Sequence, residues 1–112
     1  MINLNNPSAS GVHVWVATQP VDMRKGFDGL AEVVRSFLGH DPLSGNMFVF
    51  RNRSAQRVKI LWYDRDGLAI YYKRLERGVF RFPTGDEKAM TIDSSQLLRL
   101  LSGMTVVATR IG

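Results

Sequence analysis

Four short runs rich in β-branched and aromatic residues follow one another in the middle of the chain. They occupy residues 47–51, 57–63, 68–75 and 79–82. The turns between them are short, and parallel strands need a connection of a dozen or more residues. The sequence therefore predicts an antiparallel β-meander, and this constrains the fold more than any other feature. Runs at 12–17 and 88–92 predict further strands, so we expect a sheet of four to six strands.

Two amphipathic helices are predicted around this meander. From about Lys25, the apolar residues recur at three- and four-residue spacing up to Leu38, and Gly39 supplies a stop. Asp93 and Gln96 have the spacing of a capping box, which predicts a second helix that ends at Gly103. We expect one α+β domain over residues 1–112, with its core in 12–103 and both helices packed on one face of the sheet.

Side-chain parity predicts which strand residues share a face. For the hairpin at Asp64 to Gly67, two- and four-residue turns give the same parity. One predicted face contains Arg57, Lys59, Leu61, Tyr63, Leu68, Ile70, Tyr72 and Arg74. The opposite face is apolar apart from Lys73 and is the better core candidate, although Leu61, Leu68 and Ile70 indicate that part of the first face is covered. A two-residue turn at Arg77-Gly78 extends this pattern, pairing Arg81 with Arg74 and placing Phe80 and Phe82 on the core side.

The loop between the first two runs is predicted to have an odd number of residues. An odd loop places Phe48 and Phe50 on the core side with Trp62, and Arg51 on the same face as Arg57. An even loop would instead bury the Arg51 guanidinium, which is costly unless it is hydrogen-bonded. The odd loop therefore gives a predicted face of basic and aromatic side chains.

Positive charge is concentrated in this central block. The whole chain has a formal net charge of +5. Residues 51–81 contain nine Lys and Arg residues against three acidic ones, while the preceding 50 residues hold four acidic and three basic ones. A cationic face with interleaved aromatic rings suits phosphates and stacked bases. The residues predicted to bind nucleic acid are Arg51, Arg53, Arg57, Lys59, Tyr63, Tyr72, Arg74 and Arg81. The alternative is a solvated face that protects the sheet edge.

Arg24 and Lys25 form a second candidate anion site. If Asp22 caps the first helix, both cations fall in its first turn, where the helix dipole disfavours them unless an anion binds. Alternatively, the helix begins at Phe27 or Asp28 and leaves the two cations in a loop.

Residue types argue against most catalytic sites. The chain has no cysteine, and His13 and His40 lack metal-ligand spacing, so we expect no metal, no cofactor and no catalytic residue. Asp64 and Asp66, with Lys59 and Lys73 nearby, fit a metal-dependent nuclease, but the same aspartates fit an ordinary hairpin turn. Without a long apolar run we expect a cytoplasmic protein that has no membrane contact.

Several motifs resemble those of a known bacterial family. They are Asp22-Met23-Arg24-Lys25-Gly26-Phe27-Asp28-Gly29-Leu30, Phe48-Val49-Phe50-Arg51, Lys59-Ile60-Leu61-Trp62-Tyr63-Asp64 with Gly67-Leu68, and Tyr72-Lys73-Arg74-Leu75-Glu76-Arg77-Gly78 with Phe80 and Pro83. In this order they are similar to TnpB, the second-frame accessory protein of the insertion sequence 66 family. The resemblance runs from about Val12 to Gly103, and nothing is carried over to the residues that follow.

This resemblance implies a small protein that is encoded beside a separate transposase and needed for movement of the element. It implies no established catalytic activity. We therefore expect a non-enzymatic accessory protein for DNA transposition whose partners are the DNA of the element's ends and the transposase. The alternative is a protein–protein adaptor for the transposase without direct DNA contact.

Overall fold

The computed structural model describes residues 11–103 and shows an α+β fold built on one five-stranded sheet. The strands are β1 (Val14–Ala17), β2 (Met47–Arg51), β3 (Arg57–Asp64), β4 (Gly67–Arg74) and β5 (Ala89–Ile92). Their order across the sheet is β4-β3-β2-β1-β5.

The sheet is mixed, so the prediction of a purely antiparallel meander is wrong. Strands β2, β3 and β4 do form an antiparallel meander. However, β1 lies beside β2 and runs parallel to it, with Val14 opposite Met47. Residues 18–46 contain the first helix and supply the long connection that a parallel pair requires.

The first helix begins later than a cap at Asp22 would require. It consists of α1 (Phe27–Glu32), which continues as the π-helical segment Val33–Leu38 and ends at Gly39. Asp22 lies before the helix, where its Oδ1 accepts the backbone N–H of Arg24 at 2.9 Å. The interpretation of Asp22 as an N-cap is therefore wrong, and the later start is confirmed. In contrast, the capping box is present at the start of α2 (Ser94–Leu101).

The two helices pack on opposite faces of the sheet, so the prediction that they share one face is wrong. Leu97 and Leu100 of α2 pack in one apolar cluster with Val58 and Ile60. The second cluster joins α1 to the other face, and its buried members are Ala17, Leu30, Ala31, Val34, Phe48, Phe50 and Leu61. The sheet has two apolar faces, and each needs its own cover.

The β2–β3 register explains the second apolar face. Phe48 is opposite Leu61, Phe50 is opposite Lys59, and Arg51 is opposite Val58. Residues directly opposite each other share a face, so the odd loop is wrong and Arg51 lies on the α2 side. Its guanidinium donates to the carbonyls of Thr18 and Asn52, each at 3.3 Å, and remains half-exposed. These bonds offset the cost of desolvating the guanidinium, which was the reason for predicting an odd loop.

The β3–β4 register is the predicted one. Arg57 is opposite Arg74, Lys59 is opposite Tyr72, and Tyr63 is opposite Leu68. The face assignments for these two strands are therefore confirmed.

Residues 79–82 do not form a strand, so this part of the predicted meander is wrong. The chain leaves the sheet after Arg74 and turns at Gly78, which has a left-handed φ of 75°. Phe80 donates one backbone hydrogen bond to Ala55 (2.7 Å) and is buried in the α2-side cluster, against which Phe82 also packs. The core-side placement of both rings is therefore confirmed, while the expected pairing of Arg81 with Arg74 is absent.

Candidate nucleic-acid interface

Strand directions bring the basic loops to one end of the sheet. The loops that follow β1, β2 and β4 and precede β3 and β5 all meet at this end. These loops and the strand termini beside them, which we call the basic end, carry four acidic residues and nine basic ones. The basic residues are Arg24, Lys25, Arg51, Arg53, Arg57, Arg74, Arg77, Arg81 and Lys88. The acidic residues are Asp22, Glu76, Asp86 and Glu87.

The opposite end of the sheet carries the reverse charge. Within residues 11–103, its loops and strand termini, which we call the acidic end, contain Asp41, Asp64, Asp66 and Asp93 with a single arginine, Arg65. Side-chain parity predicted that the basic residues share one face of the sheet. In the structure, basic and acidic residues are separated mainly along the strands, at opposite ends of the sheet.

Lys59 is a structural residue inside this arrangement. It is 8% exposed, and its Nζ donates to the carbonyls of Met23 and Lys25, each at 2.8 Å. The same ammonium lies 4.6 Å from the centre of the Tyr72 ring, within the range of a cation–π contact. Lys59 thus holds the loop before α1 against β3 and contacts Tyr72 of β4, so it joins the two candidate sites that sequence reasoning kept apart.

Arg57 and Tyr72 lie at the surface above Lys59. Arg57 Nη1 donates to the Tyr72 hydroxyl at 2.7 Å, and Tyr72 is 46% exposed. Arg57 also stands opposite Arg74, and two like charges in this position repel. Arg74 is paired with Glu76 at 2.7 Å, whereas Arg57 makes no ion pair within residues 11–103. Arg57 therefore keeps an uncompensated charge.

The Arg24–Lys25 loop contains one paired and one unpaired cation. Arg24 Nη2 lies 2.7 Å from Asp22 Oδ2. Hydrogen bonds from the side chain and then the backbone of Arg24 lower the pKa of Asp22 to about 2. Lys25 is exposed and, within the described part of the chain, has no carboxylate partner.

Two surface grooves contain the other arginines that the sequence predicted to bind nucleic acid. One, of about 530 Å³, runs between residues 20–23 and 52–54 and is lined by Arg53. The other, of about 280 Å³, has Arg51 and Arg81 on its walls, and the Arg51 guanidinium lies 5.8 Å from the centre of the Phe82 ring. Arg53 and Arg81 are exposed and, among the described residues, are not ion-paired.

Tyr63 lies away from these residues. It is half-buried beside the turn at the acidic end, six positions from Arg57 along β3, which corresponds to about 20 Å. It therefore does not share a surface with Tyr72 and Arg57.

The residues of the nuclease alternative are likewise separated. Asp64 and Asp66 are at the acidic end, and Lys59 is buried near the other. Lys73 Nζ donates to the Leu101 carbonyl of α2 at 2.8 Å. Within residues 11–103, no three His, Cys, Asp or Glu side chains are grouped so that they could hold a metal ion.

Comparison with known proteins identifies the family. Residues 12–110 match the sequence profile of the family described as IS66 Orf2-like protein, TnpB. The chain belongs to this family. The resemblance seen in the motifs is thereby confirmed, and the IS66 Orf2-like family points to an accessory role in transposition.

Curated relatives match along most of their length. The chain is 46% identical to the uncharacterized protein y4hO of Sinorhizobium fredii over 98 residues, which cover 88% of this chain and 85% of the relative. It is 37% identical to the uncharacterized protein y4jC of the same organism over 94 residues, 84% and 80% of the two chains. No solved structure matches it. In residues 11–103, no helix combines the length and apolarity needed to cross a membrane.

Proposed function

We propose that this IS66 Orf2-like protein is a non-enzymatic accessory protein of transposition that binds nucleic acid at its basic end. The observation that supports this proposal is a set of exposed cations at one end of the sheet with no carboxylate partner within residues 11–103. The exposed ones are Lys25, Arg53, Arg77, Arg81 and Lys88, and the half-buried Arg57 lies among them.

We use charge compensation to choose which of the predicted residues we propose as phosphate contacts. Arg24 and Arg74 already hold Asp22 and Glu76, and exposed pairs of this kind leave less net charge for a phosphate. We propose an indirect role for Lys59, because its ammonium fixes the Lys25 loop against β3. Tyr72 is the aromatic residue placed to stack on a base, since its ring is exposed and Arg57 fixes its hydroxyl.

The acidic end gives the proposed contact an orientation. Phosphates are attracted to the basic end and repelled by the carboxylates at the other, so nucleic acid approaches across the loops at residues 18–26, 52–56 and 75–88.

Charge-neutralising variants test this proposal. Arg53→Gln and Arg81→Gln each remove one expected phosphate contact, and Arg65→Gln makes the same chemical change at the acidic end. Binding to fluorescein-labelled duplexes of the element's ends and of unrelated sequence is measured by anisotropy. We expect the first two variants to weaken binding and to reduce the salt slope by about one unit, while Arg65→Gln binds as the wild type. Equal affinities for all three variants would contradict the proposal.

A second candidate is an adaptor that binds an acidic surface of the transposase. The pairs of Arg24 with Asp22 and of Arg74 with Glu76 favour it, because in both of them an arginine at this end donates hydrogen bonds to a carboxylate in good geometry. The same variants distinguish the two. An adaptor loses transposase binding in Arg53→Gln and Arg81→Gln, and it has no salt-dependent affinity for either duplex.

A further inference from the structure

Strand β4 presents a long edge to solvent. Within residues 11–103 its strand neighbour is β3, with which it pairs over eight positions, from Gly67 to Arg74. Every second residue of such a strand directs its N–H and C=O away from its neighbour. Natural edge strands are commonly short or contain proline, as a defence against pairing with other chains. The other edge strand, β5, has four residues, whereas β4 has eight and no proline.

Charge is distributed unequally along this edge. Lys73 and Arg74 lie at its basic end, where Arg74 is also paired with Glu76, and Asp66 precedes the strand at the acidic end. Asp66 is exposed and makes no ion pair in the described part of the chain. An antiparallel strand with the same sequence therefore brings a carboxylate beside an arginine at both ends.

We propose that a second copy of the chain pairs with this edge, β4 against β4, to form a continuous ten-stranded sheet. A two-fold axis perpendicular to the sheet relates the copies, so the interface is isologous. This inference does not depend on nucleic-acid binding, because the edge pairs through backbone groups. Tyr72, which the proposed function stacks on a base, lies on β4 and is common to both proposals.

Charge and size select one register. A two-fold axis through Ile70 places Asp66 opposite Arg74 of the second copy, and Leu68 opposite its Tyr72. An axis through Tyr71 places Asp66 against Glu76 instead, which is repulsive. An axis through Ala69 leaves Asp66 opposite Tyr72 and brings Arg65 against Lys73. The register centred on Ile70 pairs opposite charges twice and sets a large side chain beside a smaller one.

The register makes a specific prediction for charge reversal. A homodimer of Asp66→Lys or of Arg74→Glu contains two like-charged contacts. We therefore expect the association constant of the dimer to fall at least tenfold. In an equimolar mixture of the two variants, the heterodimer contains one Lys–Glu contact and one Asp–Arg contact. We expect the mixture to associate as the wild type does.

Sedimentation equilibrium of the full chain gives the readout. A monomer has a mass of 12.6 kDa, and circular dichroism confirms that each variant is folded. The control is Arg99→Glu, the same charge change at an exposed position on α2. A wild type that stays monomeric at all concentrations overturns the proposal. Folded single variants that dimerise like the wild type, or whose mixture does not associate, also overturn it. Because the experiment contains no nucleic acid, its result neither supports nor contradicts the proposed function, which the anisotropy measurements test separately.

Discussion

The buried ammonium of Lys59 provides a sharp test of how the basic end is held together. Lys59→Met keeps the length and apolar stem of the side chain and removes the charge. It takes away two charge-assisted hydrogen bonds to the carbonyls of Met23 and Lys25, both 2.8 Å long, and the contact with the Tyr72 ring.

The expected cost follows from these contacts. A hydrogen bond to a charged group is worth about 1.5–3 kcal/mol, and the two carbonyls lose this donor. Part of this cost is offset, because the buried methionine needs no ionic desolvation. We therefore expect the free energy of unfolding to fall by about 2–4 kcal/mol. For a domain of this size the melting temperature then falls by about 8–20 °C.

Urea unfolding, followed by tryptophan fluorescence and circular dichroism, measures this change. The matched control is Lys25→Met, the same substitution at an exposed position in the loop that Lys59 holds. We expect the control to change stability by less than about 0.5 kcal/mol. If Lys59→Met also stays within that limit, the ammonium does not fix the loop and the reasoning is refuted.

Two further predictions concern helix ends. Asp93→Ala removes the cap that accepts the Gln96 N–H at 2.8 Å, and we expect a loss of about 1 kcal/mol in urea unfolding at pH 7. Because the Gln96 backbone hydrogen bond lowers the pKa of Asp93, this stabilisation is complete above the ordinary value of 3.8 and is lost as the pH falls through the lowered native pKa. The difference in the free energy of unfolding between variant and wild type should therefore shrink in acid. A difference that does not change with pH would contradict the role of Asp93 as a cap. Gly39→Ala forces alanine to a φ of 73°, with nothing within 4 Å of its Cβ. The expected loss of about 1 kcal/mol in the free energy of unfolding is therefore purely conformational, and unchanged stability would contradict it.

Local patterns were sufficient to predict some elements. The hairpin at Asp64 to Gly67 is short enough to set the parity of β3 and β4, so the shared face of Arg57 and Tyr72 could be predicted. The capping box at Asp93 could be predicted because both of its partners lie within four residues.

Long-range contacts account for the errors. The half-buried position of Arg51 depends on the Thr18 carbonyl, 33 residues away, and no periodicity reports that bond. The parallel neighbour of β2 is also distant in sequence. The apolar residues Leu61, Leu68 and Ile70 did signal a covered face, and Lys59 lies on that face, two positions from the buried Leu61. Its burial could have been inferred from that signal.

Salt dependence of binding tests the central claim most directly. The wild-type protein is titrated with a labelled duplex of the element's ends over a series of salt concentrations. Contacts from Lys25, Arg53, Arg57 and Arg81 to four phosphates predict that log K falls linearly with log salt, with a slope of about −3 to −4. A slope near zero, or no binding at low salt, would contradict the account.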